Sequence, residues 1–222
     1  MLQRDSNLPP TIFVLLVINA LVFAWQMIAG MAPITDLALW PLGTPDVARS
    51  AGGFTQVPDF APWQLVTYGF LHGGLFHLGV NMFALWMFGV PIERALGTRP
   101  FATYYLVCLV GAGIIQLVVA TLASQDGMIY PTVGASGAVF GILLAFGMLF
   151  PNQQVMLLFP PIPMKAKYFV ILYGAFELWA GVTNTFSGVA HFAHLGGMVF
   201  GFVMIQYWRG RLPVKPRRRL HL

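Results

Sequence analysis

The sequence predicts an all-α polytopic membrane protein: six helices crossing a bilayer, with a long interfacial loop between the first and the second. Three observations predict it. Hydrophobic residues make up 58% of the 222 positions and charged residues only 9%, far from the balance of a soluble domain. Six apolar stretches, 11–29, 75–92, 101–123, 136–150, 168–184 and 188–208, mostly approach the ~20 residues that cross ~30 Å of hydrocarbon. Six spans also place eleven of the 12 Lys and Arg on one side, leaving only Arg49 opposite. By the positive-inside rule that side is cytoplasmic and holds both termini.

The chain then divides into a cytoplasmic N-terminus (1–10), a membrane domain (11–208) and a basic cytoplasmic tail (209–222). The first stretch follows Arg4 and ends in the small residues IAGMAP, which also fit a cleaved signal peptide. Its apolar run exceeds the ~7–15 residues of a signal core, which favours a retained anchor. The segment from 30 to 74 carries Phe54, Phe60, Trp63, Tyr68 and Phe70 among Pro and Gly, the composition of a loop lying partly in the interface. Glu93 and Arg94 are expected to anchor the cytoplasmic end of the second span. Cys108, in the third, is the only cysteine, so no internal disulfide forms. The tail RGRLPVKPRRRLHL reads as a topology signal or a contact for anionic headgroups rather than a nucleic-acid arm. The expected partner is the bilayer, not nucleic acid.

The fourth stretch is short, covering only ~22 Å from Ser136 to the PNQQ that ends it. Ser136 is therefore expected below the membrane surface. Non-helical backbone at that depth is tolerated only where protein buries it or water reaches it, so a small water-filled cavity is expected around PTVGAS. Gly134 lets the backbone turn, and free N–H groups at the helix start offer a site for a negative oxygen. An ordinary N-cap is the plainer role for Ser136.

Polar side chains inside spans are costly and usually face the bundle interior, which makes them candidates for function. His77 and Asn81, four apart, share one helical face and can donate toward one point; as a bland alternative they tie helices together. Gly137 and Gly141 in the fourth span, like Gly197 and Gly201 in the sixth, have the G-x-x-x-G spacing that lets helices approach closely. If those faces meet, Ser136 and His194 come within reach. His191 and His194 compete as the base; spacing does not choose between them, and His194 is preferred because it lies closer to Gly197. A metal site from His72, His77, His191 and His194 is the weaker alternative, with no HExxH helix and no nearby carboxylate; no metal or cofactor is expected. Glu177 is the only carboxylate deep in a span. It could orient a histidine, pair with a cation or carry protons, a hydrogen-bonded structural role being the plainer account.

Three segments in order, HLGVNMFALWMFGVPIERALG, GASGAVFG and AHFAHLGG, resemble the rhomboid intramembrane serine proteases over roughly residues 60–205. The resemblance implies a six-span core of bacterial type in an inner (plasma) membrane. It puts the G-x-S-G motif on Gly134, Ala135, Ser136 and Gly137, the nucleophile on Ser136 and the base on His194. Oxyanion donors fall on His77, Asn81 and the Ser136 backbone. The ring that stacks on the base falls on Phe140, where some members carry Tyr. The implied reaction is peptide-bond hydrolysis by a Ser–His dyad through an acyl-enzyme, acting on membrane-spanning helices of other proteins, with no obligate partner. No third carboxylate is identifiable beside His194, so packing on Phe140 is expected to set its tautomer. A transporter or a non-catalytic helix-binding scaffold are the rival readings.

Overall fold

The computed structural model describes residues 8–44, 47–50, 53–156, 161–185, 188–216 and 219. The expectations for Arg4, Arg217 and Arg218, and for the side chains of Arg49 and Phe54, lie outside the described residues. Helix α1 (Pro10–Ala29) starts on a proline, whose fixed φ and missing N–H suit a first helical position. A short α2 (Ala32–Leu37), an antiparallel hairpin of β1 (Val47–Ser50) and β2 (Gly53–Gln56), α3 (Gln64–Thr67) and a 3₁₀ turn (Tyr68–Phe70) fill the segment before α4 (Leu75–Leu96). Helix α5 (Thr98–Gln125) and α6 (Ser136–Leu149) follow. A second hairpin, β3 (Gln154–Met156) with β4 (Pro163–Lys165), leads into α7 (Ala166–Thr183), and α8 (His191–Trp208) completes the bundle.

The protein is thus mostly helical, with α1, α4 and α5 long and apolar enough to cross a membrane, and α6 a shorter apolar helix. Among the described residues, the sixfold count expected from composition is met by length and hydropathy in these three. The reason is physical: α6 has 14 residues, and polar side chains such as Glu177 in α7 and His191 and His194 in α8 lower their helices' mean hydropathy.

Helix α6 is the axis of the fold. It is apolar all round and packs on α4, α5, α7 and α8, as a helix without a polar face must. Gly137 and Gly141 face Gly197 across the α6–α8 contact. A Cβ on Gly197 would collide with the carbonyl oxygen of Gly137, and one on Gly141 would lie 3.0 Å from the Gly197 carbonyl oxygen. Tyr104 bridges to the same helix, its hydroxyl donating to the Gly141 carbonyl at 2.7 Å.

One expectation about a loop residue changes, and one about the end of α4 is extended. Tyr68 does not lie in the interface: it is 1% exposed, and its hydroxyl donates to the Leu109 carbonyl at 2.8 Å. Its neighbour Trp63 keeps the surface position. Glu93 does more than end α4. Its carboxylate accepts the backbone N–H groups of Thr11 and Ile12 at 2.9 and 2.8 Å, satisfying donors that the start of α1 leaves free and placing negative charge at a helix N-terminus.

Candidate active site

The loop before α6 is tied down from two directions. Leu39 and Thr132 exchange backbone hydrogen bonds at 3.0 and 2.9 Å, and the Gly134 N–H donates to the Tyr68 carbonyl at 2.9 Å. Gly134 sits at φ 129°, where a side chain would be strained, and a Cβ there would come within 2.8 Å of the His77 ring. Glycine therefore meets both a backbone and a space requirement at this position.

Ser136 is the first residue of α6 and the preceding Ala135 is the cap position, without a side-chain cap bond. This departs from the N-cap role considered for Ser136. Its Oγ lies 2.8 Å from His194 Nε2 instead, a link that joins α6 to α8. The His194 ring stacks on Phe140, with centroids 4.2 Å apart and planes 4° from parallel. The spacing of Ser136 and Phe140 produces this arrangement, since residues four apart share a helix face.

The expectation of no carboxylate beside His194 is overturned. Glu177, 3% exposed on the otherwise largely outward-facing α7, places Oε2 2.9 Å from His194 Nδ1 and 2.7 Å from His191 Nδ1. His191 Nε2 in turn lies 3.0 Å from the Thr185 carbonyl oxygen. No single helix carries this cluster, so sequence periodicity could not reveal it; the one available signal was that Glu177 is the only carboxylate deep in an apolar stretch. His191 is itself buried.

On the other side of Ser136 stands α4. The Gly73 N–H donates to His77 Nδ1 at 3.2 Å, which leaves the hydrogen of the neutral ring on Nε2, the nitrogen nearer Gly134. Asn81 donates from Nδ2 to the His77 carbonyl at 2.9 Å, and among the described residues its second amide hydrogen has no acceptor. His77, Asn81, Ser136 and His194 all line one cavity of about 1220 Å³, whose wall also includes Pro131, Thr132 and Val133. It is larger than the small pocket expected around PTVGAS and is apolar over much of its lining. His72 lies behind it, edge-on to His77 with ring centroids 5.2 Å apart; burial, with His77 beside it, pushes its pKa down to about 4. The four-histidine metal set is not what the fold assembles. Among the described residues, Glu177, His191 and His194 are the group able to hold a metal ion, with ligand atoms within 4.8 Å of one another.

These features define a helical membrane protein whose serine and histidine meet over a cavity between helices. Residues 59–211 match the Rhomboid domain, and the chain belongs to the rhomboid family. It is 31% identical over 159 residues to Rhomboid protein 1, mitochondrial, of Saccharomyces cerevisiae, covering 71% of this chain and 45% of that protein. Presenilin-associated rhomboid-like protein, mitochondrial, of Rattus norvegicus is 32% identical over 161 residues, covering 69% and 41%. RHOMBOID-like protein 4 of Arabidopsis thaliana is 34% identical over 172 residues, covering 77% and 38%. The chain thus spans less than half the length of these relatives. The yeast and rat names place those proteins in mitochondria, which corrects the bacterial plasma-membrane location expected above. The physical reason is that Lys and Arg counts report orientation across a membrane, and span number reports architecture; neither identifies the organelle.

Proposed function

We propose that this protein is an intramembrane serine endopeptidase, built as a six-span bundle, that cleaves membrane-spanning segments of other proteins. The observation that carries the reading is the 2.8 Å contact between Ser136 Oγ and His194 Nε2, at a cavity within a rhomboid-family fold. His194 takes the Ser136 proton as the hydroxyl attacks a carbonyl, and then delivers it to the leaving amine; water releases the acyl-enzyme. The tetrahedral oxygen is held by the Ser136 N–H at the start of α6, His77 Nε2–H and the free amide hydrogen of Asn81. A substrate helix must unwind locally for its carbonyl to reach this depth. The mitochondrial relatives favour a mitochondrial membrane as its location.

The test is labelling of the purified protein with a fluorophosphonate probe and cleavage of a single-span substrate in liposomes. Wild type is expected to label and to cleave, Ser136→Ala to do neither, and His194→Ala to be reduced by about 10⁴-fold or more, in the range seen when a member of a Ser–His–acid set is removed. Equal labelling of wild type and Ser136→Ala would sink the reading in favour of a scaffold or a transporter.

A further inference from the structure

The cluster around Glu177 holds more polar groups than a serine and a histidine need, and hydrogen-bond bookkeeping shows what they do. His194 Nε2 must be unprotonated to accept the Ser136 hydroxyl, so its hydrogen sits on Nδ1 and points at Glu177 Oε2, 2.9 Å away. Without that acceptor the neutral ring is free to carry its hydrogen on Nε2, where it cannot act as a base. Stacking on Phe140 fixes the plane of the ring but has no acceptor with which to choose between the nitrogens. The choice of tautomer therefore falls to Glu177.

His191 completes the set. Its Nε2 faces the Thr185 carbonyl, which can only accept, so that nitrogen carries a hydrogen; its Nδ1 faces the same Glu177 oxygen at 2.7 Å. Two acceptors, the bare ring nitrogen and the carboxylate oxygen, would otherwise meet there, so one additional proton lies between Glu177 and His191. A buried carboxylate is tolerated only when paired and hydrogen-bonded, and Glu177 Oε2 has two imidazole partners. The separations of 2.7 and 2.9 Å are direct hydrogen-bond lengths, so shared protons account for the cluster without a metal.

We propose that Glu177 is a positioning residue that holds His194 in the Nδ1–H tautomer and stabilises the imidazolium formed during acylation, with His191 and the Thr185 carbonyl bracing Glu177 from behind. The inference rests on the serine-protease reading and extends its dyad to a chain of Thr185 carbonyl, His191, Glu177, His194 and Ser136. As Ser136 Oγ forms its bond to the substrate carbonyl carbon, its proton moves to His194 Nε2. The positive ring then faces the Glu177 carboxylate, and the same proton leaves on the departing amine. Glu177 itself exchanges no proton with the substrate.

The first measurement uses the unaltered protein: ¹⁵N NMR of histidine-labelled material in detergent, with signals assigned by replacing the five histidines one at a time. His194 is expected to be protonated on Nδ1 alone and His191 on Nε2, with its Nδ1 proton shared. A His194 ring protonated on Nε2 alone overturns the proposal. The second is kinetic. Glu177→Gln is expected to lower kcat and the rate of fluorophosphonate labelling by about 10²-fold or more, with KM within twofold and the His194 tautomer changed. Glu177→Asp is expected to recover at least about tenfold of that loss, and His191→Gln to lose about tenfold. Wild-type labelling together with an unimpaired Glu177→Gln would remove the inference alone. A wild type that does not label removes the protease reading and the inference together.

Discussion

Two glutamates are buried almost equally, Glu93 at 2% exposure and Glu177 at 3%, yet they serve different ends of the molecule. Glu93 lies sixteen residues after His77 on the same helix, roughly 24 Å along α4, and accepts two backbone N–H groups from the first turn of α1. Glu177 is hydrogen-bonded to two imidazoles, His191 and His194, the second of which lines the cavity. Burial obliges each carboxylate to be satisfied, but the partner decides what the satisfaction does. An amide N–H holds its hydrogen throughout, so Glu93 fastens one helix to another. An imidazole can gain and lose a proton, so on the proposed mechanism Glu177 is coupled to the reacting groups.

Substitutions can separate the two poles. Beyond Ser136 and His194 themselves, the largest effect is expected at the α6–α8 contact that carries them. Gly197→Leu has no room beside the Gly137 carbonyl, so it should cut turnover by more than about 10²-fold and lower the thermal midpoint together, because the Ser136–His194 distance depends on this packing. Activity retained with a normal midpoint would show that the helices do not meet as described. Next comes His77→Ala, which touches neither glutamate. Loss of one oxyanion donor typically costs ~10²–10³ in rate, and an unchanged thermal midpoint would keep the effect in the site. The smallest effect on turnover is expected for Glu93→Ala. Two hydrogen bonds to a charged acceptor, each worth about 1.5–3 kcal/mol, predict a stability loss of roughly 3 kcal/mol or more in a denaturation titration, with kcat within twofold while the protein stays folded. If Glu93→Ala slows catalysis as deeply as Glu177→Gln, the division between a structural and a functional carboxylate collapses.

The helices were legible because length and apolar composition are local properties. The stretches 11–29, 75–92 and 136–150 correspond to Pro10–Ala29, Leu75–Leu96 and Ser136–Leu149 within a few residues. Much of the candidate site was legible too, since Ser136, His77, Asn81 and His194 each stand out as a polar side chain in apolar surroundings. Glu177 stood out equally but was read apart from His194, because the two sit on different helices 17 residues apart and one helix's periodicity carries no information about its neighbour. Tyr68 failed for the opposite reason. Aromatic composition suits an interface and a core alike, and only the position of Leu109 settled which. The cellular location was misjudged because nothing in span count or charge distribution encodes an organelle.

By itself the sequence determined that this chain is a helical membrane protein, where its apolar segments run, and which few polar residues must be sheltered inside it. Those are consequences of hydrophobicity and of the cost of bare polar groups in lipid, summed residue by residue. The tertiary structure alone decided that Ser136 is not an N-cap, that His194 lies within hydrogen-bond reach of it, and that Glu177 stands behind both histidines. Hydrogen bonds are directional and reach only about 3 Å, so which donor finds which acceptor depends on how α6, α7 and α8 pack, and that information exists only once the glycine faces have closed.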